Sequence, residues 1–182
     1  MGHPIKHFLT ITNHRHKVLI NCIRAGIPFR GLLHDLSKYS PSEFFAGAKY
    51  FQGNRSPNEG EREAYGYSKA WIHHKGRNRH HFEYWTDYDP VTKKFGGVKM
   101  PKKFLIEMFC DRVAASKIYN KDKYTDSKPL EYFLGGKGHR DIMHPETSSE
   151  IEFLLRMLEE KGEKETFKYI RKIRRKSNVK GE

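Results

Sequence analysis

A His-Asp pair among leucines is the feature of this sequence that most restricts its fold. His34 and Asp35 directly follow Leu32 and Leu33, and Leu36 comes directly after the pair. Burying an imidazole beside a carboxylate is costly unless another group compensates both of them. A divalent metal ion can do so, because imidazole nitrogens and carboxylate oxygens are both good metal ligands. We therefore expect the chain to fold so that further ligands reach this pair.

The segment before the pair has the spacing of an amphipathic helix. From about residue 6 to residue 25, apolar side chains recur every three or four positions, and His14 lies on the same stripe. This position predicts that His14 faces the core, either as a metal ligand or as a core histidine bonded to the backbone. Gly26 ends the helix, and a second helix over about 28–38 is predicted to carry the His-Asp pair.

Four further histidines lie close together later in the chain. A helix predicted over about 61–75 ends at the first of two His-His pairs. The four are His73, His74, His80 and His81, with Arg77 and Arg79 between the pairs. This density indicates a ligand-bearing element. The alternative is a set of surface histidines at a helix terminus, where the helix dipole favours their protonated form.

A third source of ligands is the helix predicted from Met100 to about Tyr119. Its apolar stripe contains a single charged residue, Asp111. A carboxylate at such a position needs a cation, a helix N-terminus or a metal ion. Asp111 is therefore a candidate ligand.

The remaining chain also favours helices. Ser40, Pro41 and Glu43 have the form of a capping box for a helix over about 41–51. Two more helices are predicted over about 145–161 and 164–176. No segment alternates convincingly over the length of a strand, although 86–99 is predicted to be an exposed loop or short hairpin, and the glycines of 135–139 a linker.

These patterns predict an all-α fold, a single-domain helical bundle of about seven helices. Residues 1–125 would carry the metal site, and 126–182 would form a helical extension that ends in a basic tail. The formal net charge is +13, and seven lysines and arginines lie within the last fifteen residues. This tail is predicted to be either solvated or an arm that attracts nucleic acid or phosphate.

The sequence also predicts where the protein functions. Its two cysteines, Cys22 and Cys110, have no paired spacing, and no charged-then-apolar run near the first residues resembles a secretory signal. No window approaches the roughly 18 apolar residues that cross a bilayer. We expect a soluble, reduced, cytoplasmic protein with no membrane association.

The order of His14, then His34 with Asp35, then Asp111 resembles the HD superfamily of metal-dependent phosphohydrolases. Lys38 also matches the lysine of its His-Asp-x-x-Lys element. Nearly the whole chain further resembles a bacterial and phage family carried only as a domain of unknown function. This second resemblance rests on the run from His34 to Phe44, on the His-rich element and on residues 100–116.

The resemblance implies hydrolysis of a phosphate ester, with a nucleotide or related phosphate compound as substrate. One or two divalent ions of Mn, Fe, Co, Ni or Zn would make water reactive. Asp35 would also orient the nucleophile, and His74 or His81 would protonate the leaving oxygen. The remaining roles are as follows: Lys38, Arg77 and Arg79 would neutralise phosphate oxygens, and the ligands would come from His14, His34, Asp35, Asp111, His73, His74, His80 and His81.

Two other functions fit the same sequence. A non-catalytic helical protein could bind nucleic acid through its basic tail and its interleaved aromatic residues. An HD-like fold could also retain a metal ion for a structural or regulatory purpose.

Overall fold

The fold is that of a computed structural model, described for residues 2–136 and 140–179. The helices in these ranges are α1 (Pro4–Ala25), α2 (Pro28–Leu33), α3 (Pro41–Lys49), α4 (Pro57–Tyr65), α5 (Lys69–Lys75), α6 (Lys102–Asn120), α7 (Lys128–Gly135) and α8 (Pro145–Val179). Short 3₁₀ helices cover Leu36–Tyr39, Phe82–Tyr84 and Lys121–Lys123.

The prediction of an all-α fold is confirmed in its main lines, with one small sheet added. Strands β1 (Thr86–Asp89) and β2 (Lys94–Gly97) form an antiparallel hairpin, in which Thr86 pairs with Gly97. The hairpin lies within the segment predicted to be a loop or a short hairpin. None of the helices in 2–136 and 140–179 has both the length and the apolar character needed to cross a membrane.

Helix α6 lies at the centre of the core. Every residue from Phe104 to Cys110 is buried, so the helix is enclosed on more sides than the predicted stripe required. Helices α1, α7 and α8 pack against it, and the rings of Phe109 and Phe167 join α6 to α8 with centroids 5.8 Å apart. The side chain of Asp111 therefore extends from a rigid and well-packed helix.

Helix α1 presents the predicted stripe to this core. Ile11, His14, Val18 and Cys22 are all buried. Helix α2 packs closely on α1 because Gly31 has no side chain: a Cβ atom there would lie 2.7 Å from the Cβ of Cys22. This close approach sets the position of the chain that follows α2.

Several predicted helix bounds are wrong. The helix predicted over 28–38 ends at Leu33, and the one predicted over 61–75 is two helices, because Gly66 adopts the left-handed conformation (φ 79°) that ends α4. The sequence patterns do not predict helix α7. The two helices predicted over about 145–161 and 164–176 are, by contrast, confirmed: they are the two parts of α8, which meet at a kink at Gly162, whose backbone (φ 71°, ψ 173°) is not helical.

The basic segment near the end of the chain continues α8. Lys168, Arg171 and Lys172 are exposed. Arg171 donates from Nε and Nη2 to the carbonyl oxygens of Arg24 and Ile23, at the end of α1. Of the other predicted features, Lys180 and residues 137–139 of the predicted linker lie outside the described residues.

Candidate metal centre

The His-Asp pair lies in a tight turn between α2 and the first 3₁₀ helix. On a continuous helix, the side chains of adjacent residues would diverge by about 100°. Here Asp35 adopts the left-handed conformation (φ 53°), which aspartate tolerates better than most residues. Both side chains consequently point inward, and His34 and Asp35 are each 1% exposed. Arg15 holds the turn by donating from Nε to the carbonyl oxygen of His34 at 2.8 Å.

The carboxylate of Asp35 lies between two groups of imidazoles. Its Oδ2 atom is 3.3 Å from Nε2 of His34 and 3.7 Å from Nε2 of His14. Its Oδ1 atom is 3.2 Å from Nε2 of His74 and 3.3 Å from Nε2 of His80. Each carboxylate oxygen therefore faces different histidines.

The group on the Oδ2 side, which we call the first set, contains His14, His34, Asp35 and Asp111. Oδ1 of Asp111 lies 3.0 Å from Nε2 of His14 and 3.7 Å from Nε2 of His34. These ligands come from α1, from the turn after α2 and from α6. The structure thus brings together residues separated by almost a hundred positions in the chain.

The group on the Oδ1 side, which we call the second set, contains Asp35, His74, His80 and His81. Nε2 of His74 lies 2.9 Å from Nε2 of His81. One potential ligand atom from each of the four residues lies within 4.8 Å of the others. His74 is on α5, and the other two histidines are in the turn after it. Asp35 is common to both sets.

The residues present fit bound metal ions. Nε2 of His14, His34 and His80 and both carboxylate oxygens of Asp35 are buried and make no hydrogen bond of good geometry, although Lys38 forms an ion pair with Oδ2 of Asp35. Leaving such an atom unsatisfied costs about 1–3 kcal/mol. These atoms lie near one another but not in hydrogen-bond geometry, as expected for lone pairs directed at a common cation. Histidine nitrogen and aspartate oxygen are the ligands that divalent transition metals accept.

Two buried glutamates orient the histidines. Nδ1 of His34 donates to Oε1 of Glu107 at 3.2 Å, and Nδ1 of His80 lies 3.3 Å from the same oxygen. Nδ1 of His74 donates to Oε2 of Glu43 at 2.7 Å. With the proton on Nδ1, each ring directs the lone pair of Nε2 towards Asp35. Metal-binding histidines in proteins commonly have a carboxylate partner of this kind.

The sequence pattern did not identify either glutamate. The capping-box pattern predicts a local role for Glu43, but Ser40 makes no side-chain capping bond, and the carboxylate of Glu43 instead binds His73 and His74. Glu107 precedes Asp111 by four positions, so both lie on the same face of α6. The signal for Glu107 in the sequence is that it is the one charged residue in the otherwise apolar run from Phe104 to Cys110.

The site retains ionised carboxylates despite its burial. Burial alone raises the pKa of Asp35, but His34 and Lys38 outweigh it and hold that pKa well below its usual value. Burial also raises the pKa of Asp111, but the neighbouring His14 and His34 outweigh it and hold that pKa well below its usual value. Both side chains are therefore charged near neutral pH and attract a cation.

Lys38 lies at the edge of the cluster with 30% of its side chain exposed. Its Nζ atom is 2.7 Å from Oδ2 of Asp35, an ion pair. Burial lowers the pKa of Lys38, but Asp35 and Asp111 outweigh burial and raise it above the ordinary value. The ammonium group is therefore permanently charged and reaches both solvent and the first set.

The structure does not bring three of the predicted site residues into either set. Nδ1 of His73 donates to Oε1 of Glu43 at 2.6 Å, and a quarter of its side chain is exposed. Arg77 donates from Nη1 to the carbonyl oxygen of His73. The guanidinium of Arg79 lies 5.6 Å from the ring centroid of Tyr84, on the outside of the protein.

Fold and site together define a helical protein with a buried His/Asp cluster that can hold metal ions. Residues 3–157 match the model of a family of unknown function, DUF5662, and the chain belongs to that family. No curated protein and no solved structure matches the chain. The family description carries no activity, so a functional proposal depends on the cluster itself.

Proposed function

We propose that this protein is a metal-dependent phosphohydrolase of HD type that holds two divalent ions on either side of Asp35. The observation that carries the proposal is the buried carboxylate of Asp35, each of whose oxygens faces a separate set of imidazole nitrogens. A carboxylate shared in this way suits a pair of ions about 3.5–4 Å apart, an arrangement used for phosphate-ester hydrolysis. The substrate would be a nucleotide or a related phosphate ester.

The residues around the cluster have distinct roles in this proposal. Ions of Mn, Fe, Co, Ni or Zn, when bound, would supply a water molecule of lowered pKa and polarise the phosphate oxygens. Asp35 would hold both ions, and Lys38 would neutralise a phosphate oxygen from the exposed edge. Burial, together with the charges of His80 and His74, holds the pKa of His81 well below its usual value. A neutral imidazole at this position supports a ligand role for His81 rather than that of the proton donor.

The experiment compares phosphate release by the wild-type protein and two variants. Protein stripped with a chelator is reloaded with Mn²⁺ and assayed against nucleoside mono-, di- and triphosphates and p-nitrophenyl phosphate. We expect release that requires Mn²⁺, disappears in Asp35→Asn and persists in His16→Ala. His16 is an exposed histidine on α1, two positions from His14, and is the matched control.

Two results would contradict the proposal. Failure to bind Mn²⁺ would remove its basis. Binding of two Mn²⁺ ions without phosphate release from any substrate would instead favour the alternative of a structural or regulatory metal, for which chelation lowers the melting temperature without affecting a reaction.

Nucleic-acid binding without catalysis is a second candidate, supported by the exposed Lys168 and Lys172 on α8 and by the net charge of +13. Lysines that contact phosphate release counterions, so the logarithm of affinity falls linearly with the logarithm of salt concentration. Reversing both charges to glutamate should reduce the magnitude of that slope by about 2. An unchanged slope would exclude these lysines as the phosphate contacts.

A further inference from the structure

Glu107 lies between the two ligand sets. It is 4% exposed and sits one helical turn before Asp111 on α6. Its Oε1 atom accepts from Nδ1 of His34, which belongs to the first set, and lies 3.3 Å from Nδ1 of His80, which belongs to the second. A single oxygen atom thus contacts one ligand of each set.

The two imidazoles also restrict one another. Their ring centroids lie 4.2 Å apart with an angle of 39° between the planes. Rotation of either ring would break its contact with Glu107 and would bring it against the other ring. The orientation of Nε2 in one set is consequently tied to the orientation of Nε2 in the other.

The second oxygen of Glu107 is fixed from outside the cluster. Nη1 of Arg30 donates to Oε2 at 2.8 Å, and the guanidinium of Arg30 lies 3.9 Å from the ring centroid of Phe104. Glu107 is therefore held at both carboxylate oxygens, and it cannot follow one histidine without disturbing the other.

We propose that Glu107 couples the two ion positions: its carboxylate orients one ligand of each set, so that its loss weakens the binding of both ions. The coupling rests on the proposed function, since it requires two ions. Because the carboxylate already contacts both rings before any ion binds, neither position keeps its geometry when Glu107 is replaced. Glu107 is a positioning residue, because it acts through the histidines.

Glu43 provides a matched control. It is also a buried glutamate, 5% exposed, and it also accepts from Nδ1 of a histidine ligand. Its two partners are His74, which belongs to the second set, and His73, which belongs to neither. The same substitution at Glu43 should therefore weaken one ion position directly, whereas at Glu107 it should weaken both.

The test is calorimetric titration of chelator-stripped protein with Mn²⁺. We expect two dissociation constants for the wild type. Both should rise about 10–100-fold in Glu107→Gln, the range found when a carboxylate partner of a metal-binding histidine is removed. In Glu43→Gln, one dissociation constant should rise by this factor, and the other should rise much less. Arg30→Met, at a half-buried position, leaves Glu107 in place but frees one oxygen, and should raise both constants by a smaller factor.

The outcomes separate the coupling from the proposed function. Two ions in the wild type, with only one constant changed in Glu107→Gln and in Arg30→Met, would overturn the coupling and leave the two-ion site intact. A wild type that binds no ion would overturn both. Far-UV circular dichroism and the melting temperature of each metal-free variant establish that it is folded. If Glu107→Gln is not folded, the two dissociation constants of Arg30→Met decide whether Glu107 couples the two positions.

Discussion

The dependence of the melting temperature on Mn²⁺ concentration counts the ions that the folded protein holds. Each ion that binds only the folded state adds about 1.4 kcal/mol to the free energy of unfolding for every tenfold rise in free Mn²⁺ above its dissociation constant. An unfolding entropy of about 2.1 cal/mol/K per residue over 182 residues gives roughly 0.4 kcal/mol/K. We therefore expect about 3.5 °C per decade of Mn²⁺ for each ion, and about 7 °C per decade for two.

Variants of single ligands then assign the two positions. His14→Ala removes a ligand of the first set alone, and His74→Ala removes a ligand of the second set alone. Each should reduce the slope to about 3.5 °C per decade by the same relation. Asp35→Ala should bring it close to zero, because both sets include that carboxylate, and His16→Ala should leave it unchanged.

The assay is differential scanning fluorimetry of chelator-stripped protein across several decades of buffered free Mn²⁺. A wild-type slope near 3.5 °C per decade would refute the assignment of two ions. Equal slopes in the wild type and in Asp35→Ala would refute the site, because the stabilising ion would then bind elsewhere.

Two further predictions concern the packing that positions the cluster. Gly31→Ala places a Cβ 2.7 Å from that of Cys22 and should reduce the free energy of unfolding in urea by about 1–3 kcal/mol; an unchanged value would show that α2 can move away from α1 at no cost. Glu163→Gln removes ion pairs with Arg24 and Lys117, which outweigh burial and lower the pKa of Glu163. The stabilisation from a lowered carboxyl pKa is complete above the unfolded-state pKa of about 4.3 and is lost as the pH falls through the folded-state value. Between pH 6 and pH 3, the wild type should therefore lose more stability than the variant in urea titrations, and identical pH profiles would contradict this assignment.

The ligands of the first set could be predicted from sequence because each depends on a local pattern. His14 and Asp111 lie on the apolar stripes of long helices, and His34 with Asp35 stands out among leucines. Helical periodicity then suffices to turn such residues inward. The turn that directs both members of the pair inward could not be predicted, because its sequence is also compatible with a helix. The left-handed backbone of Asp35 is selected by packing around it.

The partners of the ligands were harder to predict because they depend on contacts distant in sequence. Glu43 has the spacing of a capping residue, yet it binds two histidines that lie 30 and 31 positions further along the chain. Local and long-range hydrogen bonds compete for the same carboxylate, and only the folded structure shows which is formed. The break between α4 and α5 was missed for a related reason: a glycine inside a helical pattern can either continue the helix or end it.

The position of α8 has a consequence for how the cluster assembles during synthesis. All the ligands lie at or before Asp111, but the opposite side of α6 is covered by α8, where Phe167 contacts Phe109. Arg171 also ties α8 to the end of α1, almost 150 residues earlier in the chain. A nascent chain that already contains every ligand still exposes the apolar surface of α6 until α8 has emerged from the ribosome. The packing that positions the ligands is therefore complete only after α8 has docked, and before that stage the exposed apolar surface of α6 is prone to aggregation and to chaperone binding.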